Sequence, residues 1–186
     1  LEKINKKTKL IFICNPNNPT GTIVTEAEVK KFLEKVPEHC VVVFDEAYAE
    51  YVREKNYPQT VNYIRQGKNV ILVRTFSKIY GLAGLRVGYA VGPKHLIDIL
   101  RKVAEPFSTN RLAQAGALAA LDDKDFIDMA LDVNEKGKRY LCNELLKLGM
   151  SCCSSYANFL FVNLGINAQL ASQKLLEKGI IIRPGS

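Results

Sequence analysis

LIFICNPNNPTGTIVTEAEVKKFLEKVPEHCVVVFDEAY, residues 10–48, holds two short apolar runs on either side of a segment with helical periodicity. Leu10–Cys14 and Cys40–Phe44 are uncharged and rich in branched and aromatic side chains, the pattern of strands buried on both faces. Between them, Thr25 followed three residues later by Glu28 is a capping-box signature. Val29, Phe32, Leu33 and Val36 fall on one face, and Pro37 stops the helix. Strand, crossover helix and strand make a βα unit, so the stretch predicts a mostly parallel sheet covered by helices.

Further along, Val70–Thr75 and Val87–Val91 read as additional strands, and Lys94–Ala104 and Thr109–Leu121 as helices. Ala113, Ala115, Ala117, Ala119 and Ala120 make the second of these helices thin enough for close packing. Phe126–Leu148 is a longer helical pattern with Ile127, Leu131, Leu141, Leu145 and Leu148 on an apolar stripe. Gly137 offers a bend and Gly149 an end. Beyond it a second, smaller α/β unit is expected: strand Asn158–Asn163, helix Asn167–Lys178 capped by Asn167, and strand Gly179–Arg183. The expected organisation is a sheet domain over residues 1–130 and an incomplete small domain over residues 131–186. The chain reads as starting just before its first strand and stopping in mid-unit.

A chain of 186 residues with 47% hydrophobic, 24% charged and 9% aromatic residues has the composition of a globular domain rather than a disordered one. At this size roughly 70% of the surface exposed by the unfolded chain is buried, enough for a core without disulfides. No apolar run approaches the ~20 residues of a membrane helix, and no signal-peptide pattern opens the sequence. The net charge of +7 invites a nucleic-acid reading, but beyond Lys3, Lys6, Lys7 and Lys9 the cations are scattered among acids. Cys14, Cys40, Cys142, Cys152 and Cys153 are odd in number and form no C-x-x-C, which favours a reducing, cytoplasmic setting. His39 and His95 have no neighbours at metal-ligand spacing, so no metal is expected.

Three strand ends carry polar residues where open α/β sheets bind ligands. After Leu10–Cys14 comes Asn15-Pro16-Asn17-Asn18-Pro19-Thr20-Gly21, two Asn-Pro turns that present amides above the sheet. After Cys40–Phe44, Asp45-Glu46-Ala47-Tyr48 brings a carboxylate out of an apolar run. Such an acid needs a cation or hydrogen-bond donors, or else caps a helix. After Val70–Thr75, Phe76-Ser77-Lys78 leads to Gly81-Leu82-Ala83-Gly84-Leu85-Arg86-Val87-Gly88. Hydroxyls, an amine and a guanidinium together suit a phosphorylated, aldehyde-bearing partner, through imine formation and phosphate binding. Neither G-x-G-x-x-G nor G-x-x-x-x-G-K-[ST] occurs.

These motifs, in this order, resemble those of fold-type I aminotransferases that use pyridoxal 5'-phosphate. The NPNNPTG form and the block Thr75–Tyr89 look most like the histidinol-phosphate aminotransferases. The resemblance implies a three-layer α/β large domain with a mostly parallel sheet, plus part of a small α/β C-terminal domain. It implies Lys78 as the imine lysine and proton shuttle, with Asp45 holding the pyridine nitrogen protonated. Asn18 and Tyr48 would bind the ring's phenolic oxygen, and Thr75, Ser77 and Arg86 the phosphate. Asn158 and Arg183 match positions that face the substrate.

The resemblance further implies a cytoplasmic homodimer that moves an amino group between histidinol phosphate and 2-oxoglutarate in histidine biosynthesis, without nucleic-acid or membrane partners. Absent from the sequence are the family's N-terminal arm, its glycine-containing phosphate turn, its ring-stacking aromatic and its later carboxylate-binding arginine. The 186 residues alone are therefore expected to be inactive. Lys78 and Asp45 would equally serve an aromatic aminotransferase or a threonine-phosphate decarboxylase on the same fold, and a basic nucleic-acid-binding domain is the alternative from another class.

Overall fold

The computed structural model describes residues 1–185. Its main sheet has four strands in the order β1 (Leu10–Cys14), β2 (Val41–Asp45), β3 (Val70–Thr75) and β4 (Gly88–Val91). β1, β2 and β3 are parallel, and β4 returns antiparallel to β3. The parallel pairs need crossovers, and helices supply them: α1 (Glu26–Leu33) between β1 and β2, and α2 (Thr60–Arg65) between β2 and β3. α1 starts as its sequence predicts. Thr25 accepts from Glu28 N while the Glu28 carboxylate accepts from Thr25 N at 2.7 Å.

Because strand side chains alternate, the parallel register sorts the sheet into two faces. Val42, Phe44 and Val70 point to one face and cluster with Val29 and Leu33 of α1 and Tyr63 of α2, with Ile11 and Ile13 packed beside them. On the other face Val43 and Ile71 are buried, while Leu10 and Phe12 of the edge strand β1 remain exposed. Ile97 of α3 (Lys94–Val103) meets Ile71 over Gly92, where a Cβ would lie 3.2 Å from Ile71 and 3.4 Å from Ile97. The three-layer α/β arrangement is thus an α1/α2 layer, a mixed and mostly parallel sheet, and a second helical layer near β3 and β4.

α4 (Arg111–Asp122) is capped by Asn110 and buries Ala113 and Ala117. α5 (Lys124–Lys147) is a single helix that runs through Gly137 and across the expected domain boundary at residue 130. Its Asn134 and Lys138 side chains donate to the carbonyls of Ala157 and Ser155, which ties it to the segment that follows. There a two-stranded antiparallel sheet pairs β5 (Ser151–Cys152) with β6 (Val162–Asn163), and α6 (Ala168–Leu176) follows, capped by Asn167.

Two expectations need correction. The strand over Asn158–Asn163 shrinks to Val162–Asn163, because residues 156–159 bend to pack against the large sheet's loops. Gly179–Arg183 is not a strand: no described strand pairs with it, and it is tied instead to α6 by Gly179 N and Ile180 N donating to the Leu176 and Leu175 carbonyls at 2.9 Å and by Ser172 Oγ donating to the Ile182 carbonyl at 3.4 Å. Among the described residues no helix is long and apolar enough to cross a membrane.

Candidate active site

The carboxyl ends of β1, β2 and β3 lie side by side, with Cys14 opposite Asp45 and Asp45 opposite Val73. Asp45 is the last residue of β2, one place further into the strand than the sequence suggests. Alternation puts Cys14, Asp45 and Thr75 on the same face, away from the α1/α2 core. Asp45 Oδ1 accepts from Ala47 N at 3.1 Å, and the Cys14 thiol approaches Oδ2 at 3.8 Å. Burial and the neighbouring Asp45 carboxylate raise the Cys14 thiol above its usual pKa, so it stays a neutral donor. Asp45 is half-buried and keeps most of its acceptor capacity free for a ligand's proton.

The two Asn-Pro turns are held from below. Asn15, fully buried, donates to the Val24 carbonyl at 3.1 Å and accepts from Val24 N at 3.0 Å, and the buried Tyr57 hydroxyl donates to the Asn15 carbonyl. Asn17 turns inward to Thr20 at 2.8 Å. Asn18 points the other way and donates to Tyr48 Oη at 3.1 Å. The Lys78 ammonium lies 5.4 Å from the centroid of that tyrosine ring, and Phe159 meets the same ring edge-on at 5.2 Å. Asn18, Tyr48 and Lys78, drawn from three loops, therefore meet at one aromatic ring.

Thr75 Oγ1 accepts from Ser77 N at 3.0 Å, which turns the chain sharply after β3. Arg86 follows a short 3₁₀ turn at Ala83–Leu85 and has φ 54, a left-handed conformation that is costly for a residue with a Cβ. Its guanidinium donates to the Ala83 carbonyl at 2.9 Å and reaches Ser77 Oγ at 3.5 Å. Thr75, Ser77 and Arg86 thus form a second cluster, of two hydroxyls and an exposed cation, suited to an anion.

Asn158 is exposed, beside Phe159. Arg183 is also exposed, in irregular chain near the carboxyl end. Among the described residues neither side chain is hydrogen-bonded to Asn18, Tyr48 or Lys78.

Three features of the site were not visible as site features in the sequence. Phe159 was read only as part of a strand. Gly21, at φ +75, packs so tightly that a Cβ would sit 2.2 Å from Ser155 Oγ, while Tyr156 N donates to its carbonyl at 2.8 Å. Glu46, fully buried, pairs with Arg74 on the far side of the sheet. The acid beside Asp45 was the signal for that pair, but nothing local named its partner 28 residues on.

The model of the family described as aminotransferase class I and II matches residues 1–186. The chain belongs to this family. Among its relatives, the histidinol-phosphate aminotransferase of Moorella thermoacetica is 48% identical over 183 residues, 98% of this chain and 47% of the relative. Histidinol-phosphate aminotransferase 2 of Carboxydothermus hydrogenoformans is 45% identical over 185 residues, 99% of this chain and 51% of the relative. The crystal structure of the Sinorhizobium meliloti histidinol-phosphate aminotransferase, in complex with pyridoxal-5'-phosphate, superposes with TM-score 0.88 at 32% identity. That match covers 95% of this chain and 49% of the solved one. The chain spans about half the length of the aminotransferases it matches.

Proposed function

We propose that this aminotransferase chain binds pyridoxal 5'-phosphate across the ends of β1, β2 and β3 and serves amino transfer between histidinol phosphate and 2-oxoglutarate. The reading rests on one observation above all. Asn18 donates to Tyr48 Oη while the Lys78 ammonium lies over the same ring, so an amide, a phenol and an amine converge where an aldehyde-bearing ring has use for all three. The donor set fits the cofactor at its other ends too, with a carboxylate open for a pyridinium proton and a hydroxyl and guanidinium cluster for phosphate.

When bound, the cofactor supplies an electron sink for negative charge at the substrate's α-carbon. The chain's own residues supply the rest. Asp45 holds a proton on the ring nitrogen and is partly oriented by Ala47 N. Asn18 and Tyr48 hold the ring's phenolic oxygen, and Thr75, Ser77 and Arg86 hold the phosphate. Lys78 would hold the cofactor through its amine, and the same amine is placed to carry a proton between the two carbons that exchange it. Arg183 and Asn158 are proposed to meet the substrate from the second unit.

In this reading residues 1–130 are the later part of the cofactor domain and residues 131–186 part of the small domain, and the protein works as a homodimer in the cytoplasm. The assay that tests the substrate uses a protein that carries this chain at its relatives' full length, and offers histidinol phosphate, an aromatic amino acid and threonine phosphate separately, each with 2-oxoglutarate. Glutamate formation fastest with histidinol phosphate supports the proposal. A preference for the aromatic donor, or carbon dioxide release from threonine phosphate, selects one of the other two chemistries. Strong salt-dependent DNA binding without cofactor would contradict all three.

A further inference from the structure

We infer that Glu46 and Arg74 are positioning residues whose ion pair, on the face of the sheet opposite Asp45 and Thr75, fixes the spacing of the two strand ends that hold the cofactor. The inference rests on the cofactor reading above and deepens it.

The argument begins with the register. Asp45 lies opposite Val73, and Glu46 N donates to the Val73 carbonyl at 3.0 Å. Past that bond β2 turns away toward Tyr48, while β3 continues to Thr75 with β4 as its remaining neighbour. The next residue on each side is Glu46 or Arg74, and alternation sends both side chains to the α1/α2 face. There Arg74 donates from Nε at 3.0 Å and from Nη2 at 2.7 Å, both to Glu46 Oε2. The pair closes the gap between the diverging strands immediately behind the residues assigned to the ring nitrogen and the phosphate.

The surroundings make an ordinary stabilising role a poor explanation. Glu46 is fully buried and its Oε1 has no hydrogen-bond partner among the described residues. Glu50 stands 3.8 Å from Arg74 Nη1, so two carboxyls face one guanidinium. Burial, the largest cause, and to a smaller extent Glu46 push the Glu50 carboxyl above its ordinary pKa, against the opposing pull of its own backbone hydrogen bond and of Arg74. Glu46 is fully buried while Arg74 keeps 30% of its side-chain surface exposed, so the pair regains only part of the desolvation cost of Glu46, and apolar replacements at such pairs are often as stable. What an apolar pair cannot reproduce is the fixed two-pronged geometry of a guanidinium on a carboxylate oxygen.

The test compares the unmodified protein, Glu46→Gln and the double variant Glu46→Met/Arg74→Met. Thermal unfolding is measured without cofactor, pyridoxal phosphate affinity by absorbance titration, and the pH midpoint of the bound-cofactor spectrum at saturation. Glu46→Gln is expected to weaken cofactor binding by roughly tenfold or more and to move the pH midpoint. The double variant is expected to unfold at or above the unmodified temperature and still bind cofactor about tenfold more weakly. Recovery of stability and affinity together would overturn the inference, because the pair would then only prop the fold. An unmoved pH midpoint in either variant would also overturn it, whatever the unfolding temperature, since that readout reports saturated, folded protein. An unmodified protein that gives no bound-cofactor spectrum would overturn the cofactor reading and this inference with it, an outcome distinct from variants that match a binding parent.

Discussion

Asn18 Nδ2 lies 3.1 Å from Tyr48 Oη, although one residue belongs to the loop after β1 and the other to the turn after β2. The bond joins two of the four sequence motifs at a ring that the Lys78 ammonium overlies, which makes the tyrosine hydroxyl the hub of the proposed site. Tyr48 is 7% exposed and its ring is held edge-on by Phe159, so the hydroxyl can be removed without emptying the space.

Tyr48→Phe should therefore change fold stability by only about 1 kcal/mol, the net worth of one hydrogen bond. Amino transfer should slow by roughly tenfold, about 1.4 kcal/mol of lost transition-state stabilisation. Thermal unfolding and steady-state rates measured on the same preparation check both halves. A stability loss as large as the activity loss would mean that the hydroxyl serves packing.

Asp45→Asn keeps the oxygen that accepts from Ala47 N and removes only the charge. The turn should survive and cofactor should still bind, while amino transfer falls by several orders of magnitude because the ring nitrogen loses its proton. Near-normal turnover in this variant would reduce Asp45 to a local cap.

Gly21→Ala meets two obstacles, a φ of +75 and a Cβ position 2.2 Å from Ser155 Oγ. The loop after β1 and the Ser155–Tyr156 segment cannot keep their present contact, which includes the 2.8 Å bond from Tyr156 N. A destabilisation of about 1–3 kcal/mol is expected in chemical denaturation. An unchanged midpoint would show that the contact yields freely.

The residues that lay next to one another in sequence were the ones legible there. Thr25 and Glu28 announced α1, and the apolar run ending at Asp45 announced both a strand and the acid at its tip. The long pattern through Gly137 emerged as one helix because an exposed glycine costs only about 1 kcal/mol against many favourable turns. Thr60–Arg65 escaped notice because six residues containing Thr60 and Val61 carry neither length nor strong propensity. The apolar Gly179–Arg183 read as a strand, but a strand exists only with a hydrogen-bonded neighbour, and sequence alone does not supply one. For the same reason the Glu46–Arg74 pair and the Gly21–Ser155 contact became visible only once distant segments were folded together.

Glu50 gives a pH-dependent prediction. Its folded pKa is raised, chiefly by burial, so across the window from its ordinary value of 4.5 up to the raised one the unfolded chain ionises before the folded chain does. Its contribution to stability must then fall as pH rises through that window and level off above it. Glu50→Gln should accordingly raise the unfolding temperature near neutral pH and lose that advantage as the pH drops below the ordinary carboxylate range. Melting curves across pH check the sign, and a variant less stable at neutral pH than in acid, relative to the unmodified protein, would reverse it.

The central claim is that Lys78, between the Tyr48 ring and the Thr75–Ser77 turn, is the lysine that holds pyridoxal phosphate. Borohydride reduction of a cofactor-loaded, full-length enzyme carrying this chain, followed by proteolysis and peptide mapping, tests it most directly. The account predicts a single labelled peptide with the cofactor fixed to Lys78, and label on any other lysine would contradict it.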